Sequence, residues 1–575
     1  MVRKTFASIK NLLTREQNEV LSAAAILMAI GIVTKVLGML ATTIAAREFG
    51  ASQDMENFKL AAILPDTITG ILLIGAISGS IIPIFTKANQ TQDEKSFTKS
   101  YSNVMNIIML LFGVIGIFAI IFSRQLVPAA QSISQSTRFF SEADTNTVVW
   151  MLRIMLIPQV LLLFSAFFST WLNIKQRFII PQLAPLFYNV GRIFGALVIV
   201  PLVAGSIWGL VWGSVIGAVL HILIQIPLLR HLNFKWTIFQ LDFKDRNFIN
   251  AAKFGLPRMV SLAMEQLAGL VDGMIALSLG FSSLSILSQY ANPIIGFPLS
   301  LGVSFAIASF PSFSKLKAME KHDEFSKLFL KVVNQVIYLT LPIAVILIVL
   351  RVPAIRLTFG ILGGEFDWNT TLRVAWVVTF FSFGIMFEAL RSIIFRVYFA
   401  INNSVVPFVS SLFVLVMGVF TGITFSNYFT HIVPFSISNL TFNIDYFFTR
   451  GPGDYGVVGL ALSSSVVFSL EFFMLLFVLW KMKVVFGVKA FLKKLVIKFV
   501  IATVMLIVCY ILAKFWENIL NTSKTLQLFI LTATTAFASF SIYLLLSYMF
   551  AVEEVRIFIK LLNKILKVFK INIEE

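Results

Sequence analysis

Hydrophobic residues in this chain occur in long runs separated by short polar segments. A run of about 20 apolar residues, rising ~1.5 Å each, is long enough to cross a bilayer as a helix. The runs that meet this length are 20–46, 57–85, 100–123, 146–173, 179–203, 206–229, 248–279, 285–312, 328–350, 371–399, 404–426, 456–480, 495–516 and 525–551. The pattern predicts an all-α polytopic membrane protein with fourteen transmembrane helices.

An internal repeat runs through these segments. The stretch 65–85 returns as 293–313, with two prolines and one phenylalanine in register. Pro181 likewise returns as Pro407. The separation of these two prolines is nearly the same as that of the stretches 65–85 and 293–313, and we call it the short spacing. Repeats within apolar segments are typical of secondary transporters. The repeat therefore favours a carrier built from two similar halves.

Later in the repeat the two copies lie farther apart. Gly209 returns as Gly459, and we call this larger separation the long spacing. Its increase over the short spacing indicates an insertion near 427–455. That segment is polar and rich in aromatic residues, and it is predicted as an external loop. The domain limits that follow are a six-helix N-lobe at 20–230, a six-helix C-lobe at 248–480, and two further helices at 495–551.

Composition and charge support a membrane protein. The chain is 58% hydrophobic and only 13% charged, with a net charge of +18. Most lysines and arginines fall on one side of the predicted spans, which places both termini in the cytoplasm by the positive-inside rule. The flanking parts are a cytoplasmic segment at 1–19 and a basic amphipathic tail at 553–575 that suits the membrane surface. The basic loops lack the aromatic side chains that stack on bases, so no nucleic acid is expected.

No catalytic or metal-binding pattern appears in the sequence. The four histidines are scattered, no phosphate-binding loop or nucleophile elbow is present, and Cys509 is the single cysteine. We therefore expect a transporter rather than an enzyme, with no cofactor and no metal, except for Na⁺ or H⁺ as a coupling ion.

Ionisable residues inside predicted spans are the first candidates for function, because burying them in a membrane is expensive. Lys35 lies within the first span, and Glu56 and Lys59 open the second. Asp272 and Glu265 lie seven residues apart in the seventh span and share a face, which makes them candidates for binding the coupling ion. The alternative for Asp272 is a structural carboxylate paired with Arg258 or bonded to a neighbouring helix.

A second group of intramembrane residues suits a structural or gating role. Glu388 and Arg391 are three residues apart in the tenth span and are placed to pair. Arg396 lies near the inner end of that span, where a long side chain reaches the interface. His221 and Glu471 occupy matching positions in the two halves of the repeat.

Several stretches are similar to a known family of membrane proteins. They are Lys35-Val-Leu-Gly with Ala46-Arg-Glu-Phe-Gly, Leu172-Asn with Arg177-Phe and Pro181, Tyr398-Phe-Ala with Pro407, and Gly459-Leu-Ala-Leu-Ser. Over residues 20–550 the chain resembles the MurJ (MviN) family of lipid II flippases, which belongs to a superfamily of multidrug and oligosaccharidyl-lipid exporters that includes the MATE transporters.

The resemblance implies two six-helix lobes around a V-shaped cavity, with two more helices that contribute to a lipid-facing groove. It implies that an undecaprenyl-pyrophosphate-linked muropeptide is flipped outward for cell-wall synthesis, across a bacterial cytoplasmic membrane. Its partners would be this lipid-linked oligosaccharide, membrane lipids and cell-wall synthesis proteins.

The chain departs from the family where arginines line the cavity. Those positions fall on Ala41, Thr69, Gly70 and either Asn292 or Pro293. Lys35 keeps a basic family position and Glu56 an acidic one. The resemblance therefore gives Lys35, Arg47, Glu56 and Lys59 as the candidate substrate-binding residues. Three interpretations stay open: a lipid II flippase working by alternating access, another polysaccharide-lipid flippase or drug/cation antiporter of the superfamily, and a non-transporting membrane scaffold.

Overall fold

A computed structural model describes most of the chain. The described residues are 20–72, 81–91, 93–134, 140–280, 282–401, 403–430, 435–437, 440–442, 455–484 and 488–556. The predicted N-terminal segment 1–19, most of the predicted loop 427–455 and most of the predicted tail 553–575 lie outside these residues.

Helices make up nearly all of the described structure, as the hydrophobic runs predict. The long helices are α1 Val20–Phe49, α2 Gln53–Leu72, α4 Glu94–Ile121, α6 Glu142–Ile174, α7 Ile179–Phe194, α9 Trp208–Leu223, α11 Arg246–Ser278, α13 Asn292–Ala318, α14 His322–Val349, α16 Trp368–Ala400, α17 Val405–Thr430, α18 Gly456–Lys481, α19 Val488–Ile519 and α20 Thr525–Met549.

Short elements fill the connections between the long helices. They are α3 Ile82–Thr91, α5 Ser123–Ile133, α8 Val200–Leu202, α10 Ile226–His231, α12 Ser283–Ser285 and α15 Arg351–Thr358, with π-helical turns at Gly195–Ile199 and Ile286–Ala291. An antiparallel pair, β1 Phe435–Ile437 and β2 Leu440–Phe442, lies in the predicted loop 427–455.

Twelve of the described helices are long and apolar enough to cross a membrane. The predicted spans 57–85 and 248–279 correspond to α2 and α11, which are helical but are not among those twelve. The reason for α2 is its ionisable content, since Asp54, Glu56, Lys59 and Asp66 all lie within its 20 residues. The all-α polytopic architecture is confirmed, and the count of fourteen spans stays a prediction.

Contacts divide the chain into two compact units. Unit 1 comprises Met1–Tyr290, Leu362–Thr370 and Ser411–Phe420, and unit 2 comprises Ala291–Ile361, Thr371–Ser410 and Thr421–Glu575. This division falls at residue 290, whereas the sequence repeat divides the chain in the linker before residue 248. The lobe limits taken from the repeat remain a prediction.

The sequence repeat reappears as equivalent ring contacts. In unit 1 the Phe85 and Phe97 rings meet edge to face with centroids 6.1 Å apart. In unit 2 the Phe313 and Phe325 rings, which stand at the corresponding positions of the repeat, lie 5.3 Å apart. Offset aromatic pairs of this kind stabilise a packed core. The two copies of the repeat therefore share helix–helix contacts as well as the positions of their prolines.

Glycine contacts show the same correspondence. A Cβ built on Gly209 would lie 2.6 Å from the Val200 nitrogen. A Cβ built on Gly459 would lie 2.5 Å from the nitrogen of Ser426, which follows Val200 at the short spacing of the repeat. Both glycines let two helix backbones approach closely, and small residues at such crossings are how membrane helices gain packing contacts.

Candidate functional site

Polar side chains gather within unit 1 on three neighbouring helices. Lys59 and Asp66 lie seven residues apart on α2, so they share one face of that helix. Gln159 on α6 donates an Nε2 hydrogen bond to Asp66 Oδ1 over 2.6 Å. Arg192 on α7 lies within electrostatic reach of both Lys59 and Asp66. We call these four residues the α2 cluster.

The α2 cluster lies at membrane depth. Gln159 stands near the middle of α6, and Arg192 lies within Ile179–Leu202; both helices are candidate spans. Helix α6 packs against α2, and α7 packs against α1. The side chain of Gln159 is buried, whereas Asp66 is accessible and Lys59 partly so. The ionised groups of the cluster are therefore not sealed within the packed helices.

The charges in the α2 cluster do not cancel. Arg192 repels the Lys59 ammonium, and the Asp66 carboxylate attracts both cations. Within the described part of the chain, Lys59 makes no salt bridge or hydrogen bond. Two cations and one carboxylate leave one positive charge over. An accessible excess cation at this depth suits an anionic ligand, especially one with several acceptor oxygens.

Arg192 is oriented by its neighbours. Its Nη1 lies 3.5 Å from Asn189 Oδ1, one helical turn away. Asn189 in turn donates from Nδ2 to the Thr34 carbonyl oxygen of α1 over 3.1 Å. A Cβ on Gly38 would lie 3.4 Å from that same Nδ2, so the glycine leaves room for the amide. Helix α1 thus helps to fix the amide beside which the guanidinium lies.

Two of the predicted substrate-binding residues lie elsewhere on α1. Lys35 is exposed and follows Thr34 directly. Arg47 is exposed at the end of the helix, where its Nε lies 3.7 Å from Glu48 Oε1. The Arg47 carbonyl accepts a hydrogen bond from the Glu365 nitrogen over 2.9 Å. Of the four predicted residues, the structure places only Lys59 in the α2 cluster.

Glu56 is buried and forms hydrogen bonds with α12. Its side chain is 2% exposed. One carboxylate oxygen accepts from the Leu284 nitrogen over 3.0 Å, and the other accepts from the Ser285 nitrogen over 2.9 Å and from Ser285 Oγ over 2.6 Å. These donors belong to α12, whose free amide groups attract a carboxylate. Glu56 therefore holds α12, and a contact with substrate stays a prediction.

The predicted coupling residues lie on α11, which packs along α2. Asp272 and Glu265 are both partly exposed. Next to Asp272, a Cβ on Gly273 would lie 3.2 Å from the Ile63 side chain, so this part of α11 faces α2. The described residues contain no group of three or more His, Cys, Asp or Glu side chains arranged to hold a metal ion. The side chain of Arg258, the alternative partner of Asp272, lies outside the described part.

Unit 2 contains a buried ion pair. Arg391 Nε on α16 lies 3.1 Å from Glu471 Oε2 on α18, and Glu471 is fully buried. Ser410 on α17 donates from Oγ to the other carboxylate oxygen of Glu471. The sequence suggested Glu388 as the partner of Arg391, three residues away. The ion pair between Arg391 and Glu471 joins two different helices, and a pairing of Arg391 with Glu388 stays a prediction.

The remaining gating candidates are Arg396 and Glu388 in unit 2 and His221 in unit 1. Arg396 Nη1 lies 3.4 Å from the carbonyl of Ser392, within its own helix. Glu388 is partly exposed on the same helix. In unit 1, His221 Nδ1 lies 2.5 Å from Ser165 Oγ, and Gln225 donates to the same hydroxyl. The contacts of His221 and Gln225 with Ser165 join α6 to the end of α9.

Three members of the α2 cluster were not predicted from the sequence. Asp66 lies seven residues after the predicted Lys59, a spacing that places both on one face. Arg192 is visible as an arginine within a hydrophobic run. Nothing in the sequence marks Gln159 as a functional residue, because uncharged amide side chains are common in membrane spans. The spacing from Lys59 is the signal that points to Asp66.

A family model for the lipid II flippase MurJ matches residues 45–531. A probable lipid II flippase MurJ from Thermotoga maritima is 23% identical over 461 residues, covering 80% of this chain and 84% of that protein. One from Buchnera aphidicola of Acyrthosiphon pisum is 24% identical over 405 residues, covering 70% and 77% respectively.

Solved structures share the fold. A lipid II flippase MurJ in an inward closed conformation superposes with a TM-score of 0.67 at 20% identity, covering 91% of this chain and 98% of that one. An inward-facing MATE family multidrug transporter superposes with a TM-score of 0.61 at 14% identity, covering 82% and 99%. Since the family model spans most of the sequence, this multi-pass membrane protein belongs to the lipid II flippase MurJ family.

Proposed function

We propose that this protein flips lipid II across the bacterial cytoplasmic membrane by alternating access, with the pyrophosphate of the lipid held by the α2 cluster. Family membership supports the reaction. The observation that carries the site is the partly accessible Lys59 ammonium within electrostatic reach of Arg192 at membrane depth, where Asp66 is, among the described residues, the carboxylate that attracts both cations.

The two cations have complementary chemistry for a pyrophosphate. The planar guanidinium of Arg192 offers paired donors that match two phosphate oxygens, and the Lys59 ammonium adds a compact point charge. The chain lacks arginines at several family cavity positions, including Ala41 and Thr69. Lys59 and Arg192 replace part of that charge from α2 and α7.

Asp66 gives the site a way to release its ligand. When the site is empty, the carboxylate attracts both cations and Gln159 holds it in place. An entering pyrophosphate competes with Asp66 for the same two cations. Binding is therefore weaker than two free cations would give, and weaker binding lets the headgroup leave on the far side. The prenyl tail stays in lipid throughout.

Genetic rescue tests the substrate and the site together. Expression of this protein in a strain depleted of its lipid II flippase should restore growth. Lys59→Met and Arg192→Met should each abolish rescue, since losing one charge-assisted contact costs ~1.5–3 kcal/mol, or roughly 10–150-fold in affinity. Membrane levels of each variant are measured by immunoblot.

Arg153→Met is the matched control for this experiment. Arg153 is also an arginine within a candidate span of unit 1, but its Nε already donates to Ser123 Oγ over 2.9 Å. This variant should keep its rescue. Rescue by well-expressed Lys59→Met and Arg192→Met proteins would exclude the α2 cluster as the pyrophosphate site, and failure of the parent protein to rescue would exclude lipid II as the substrate.

We further propose that Asp272 binds the coupling ion, Na⁺ or H⁺, with Glu265 on the same face of α11. A carboxylate within a helical bundle requires a proton, a cation or a donor to compensate its desolvation. Transport into vesicles with the Na⁺ and H⁺ gradients set independently of the membrane potential tests this role. Asp272→Asn should abolish the dependence on one gradient, and an unchanged dependence would leave Asp272 with a structural role.

The proposed orientation has both termini in the cytoplasm, and it rests on the positive-inside distribution of lysines and arginines. Cysteines introduced at Ser141 and at Glu320, which lie on opposite sides in this topology, test it by labelling of intact cells. Ser141 should react with an impermeant reagent and Glu320 should not. The reverse pattern would invert the assignment.

A further inference from the structure

The segment between α10 and α11 is fastened along helix α4. We call residues 233–245 the connector strap. Asn103 on α4 donates from Nδ2 to the Asp242 carbonyl over 2.7 Å and accepts at Oδ1 from the Asp242 nitrogen over 2.6 Å. Asn106, one turn later, donates to the carbonyls of Thr237 and Gln240. The backbone of the strap is thus satisfied by amide side chains of α4.

Polar side chains complete the attachment at both ends. Trp236 Nε1 donates to Asn106 Oδ1 over 2.8 Å. Ser100 donates to Asp245 Oδ1 over 2.9 Å, and the same oxygen accepts from the Phe248 nitrogen at the start of α11. The strap is therefore held to α4 by hydrogen bonds along its length.

Most large apolar side chains of the strap are exposed, although Phe234 packs against Trp171 and the ring of Trp236 against Phe164. The large exposed ones are Trp236, Ile238, Phe239, Leu241 and Phe243. Phe239 is 90% exposed and has a left-handed backbone with φ of 62°. A loop surrounded by water has the opposite order, with apolar groups inwards and polar groups outwards. An exposed apolar patch of this kind marks an interaction surface.

The position of the strap identifies the medium that covers this patch. The strap begins just after Trp208–His231 ends and runs beside residues 100–106, near the start of Glu94–Ile121; both segments are candidate spans. The ends of spans lie at the level of the membrane interface. Aromatic side chains in that layer bury their rings among lipid headgroups.

The charge of the segment selects among lipids. Arg230, Lys235, Lys244 and Arg246 are all exposed around the strap. Of its two carboxylates, Asp245 caps α11, and Asp242 accepts from the Lys244 nitrogen over 2.8 Å. A basic segment with exposed aromatic side chains at an interface is attracted to anionic headgroups.

We propose that the connector strap inserts its apolar side chains into the membrane interface and binds anionic phospholipid through its lysines and arginines. The strap then anchors the linker between the two halves of the repeat to the bilayer surface. This binding site is separate from the α2 cluster and does not depend on which substrate is transported.

Depth measurements on the full-length protein in nanodiscs test the proposal. Cys509, the single native cysteine, is buried, so an environment-sensitive fluorophore is attached at Phe239→Cys or, as a second probe, at Ile238→Cys. In nanodiscs of phosphatidylcholine with phosphatidylglycerol, lipids brominated near the headgroup should quench both labels. Quenching by aqueous iodide should be at least about threefold weaker than for a water-exposed site.

The control label is Glu320→Cys, in the polar turn between α13 and α14. It should be quenched by iodide and not by brominated lipid. Removing phosphatidylglycerol, or substituting Lys235→Gln together with Lys244→Gln, should increase the iodide quenching of the Phe239→Cys label. Equal iodide quenching at 239, 238 and 320 in both lipid mixtures would overturn the proposal. If the labels contact lipid equally with and without phosphatidylglycerol, the proposed selectivity of the strap for anionic lipid is wrong.

Discussion

Arg391 and Glu471 form a buried ion pair that matches the contact between Ser165 and His221 in the other half of the chain. Arg391 follows Ser165 at the short spacing of the repeat, and Glu471 follows His221 at the long spacing. Both pairs touch, over 3.1 Å and 2.5 Å. The repeat thus keeps the contact and changes its chemistry, from a serine–histidine hydrogen bond in the first half to an ion pair in the second.

Removing one member of this ion pair should destabilise the protein strongly. Arg391→Met leaves Glu471 buried without its cation, which costs ~3–5 kcal/mol. The double variant Arg391→Met with Glu471→Leu removes both charges and should recover most of that loss. Thermal unfolding in detergent measures the three proteins. A double variant as unstable as the single one would show that the pair contributes through packing rather than charge.

Two glycines in neighbouring helices should differ in their tolerance of alanine. Gly459→Ala brings a Cβ to 2.5 Å from the Ser426 nitrogen, so the backbones of α17 and α18 must separate. Such overpacking costs ~1–3 kcal/mol. Gly418→Ala, within α17, meets nothing within 4 Å and should be neutral or stabilising by up to ~1 kcal/mol. Thermal unfolding compares them, and equal effects would contradict the close helix approach.

Asp66→Asn should tighten lipid II binding and slow transport. The substitution removes the carboxylate that competes with pyrophosphate for Lys59 and Arg192, while the amide still faces Gln159. One added net charge should raise affinity by roughly 10-fold, or about 1.4 kcal/mol. Binding to purified protein and flipping in vesicles are measured together. Glu142→Gln, an exposed carboxylate at the start of α6, is the control and should change neither. Weaker binding by Asp66→Asn would reverse the assigned role.

Neighbouring lysines of α19 provide a test of burial. Lys498 is 1% exposed, and its Nζ donates to Asn334 Oδ1 over 2.6 Å and to Glu554 Oε1 over 3.0 Å. Lys498→Met should therefore cost ~3–5 kcal/mol, because Glu554 is left buried without a cation. Lys494, one turn earlier, pairs with exposed Glu553 over 2.8 Å. Lys494→Met should cost no more than ~1 kcal/mol in thermal unfolding, and a larger loss there would contradict the burial argument.

The sequence alone determined the architecture of this protein. Hydrophobic runs of membrane length predict helices whatever their neighbours, since only a helix satisfies its backbone hydrogen bonds within one segment in lipid. The spacings of the repeat predicted which positions correspond, and the ring, glycine and polar contacts recur at those spacings. Lys59 was identified as a candidate because a lysine in a hydrophobic run is rare.

Only the tertiary structure decided which polar groups act together. Asp66 and Gln159 lie on different helices far apart in sequence, as do Glu56 and Leu284, so no local pattern connects them. A charge within a span signals that a partner exists but does not identify it. Helix rotation and close packing choose that partner, which is why Arg391 pairs with Glu471, and why Glu56 caps α12 while Lys59, three residues later on the same helix, stays accessible.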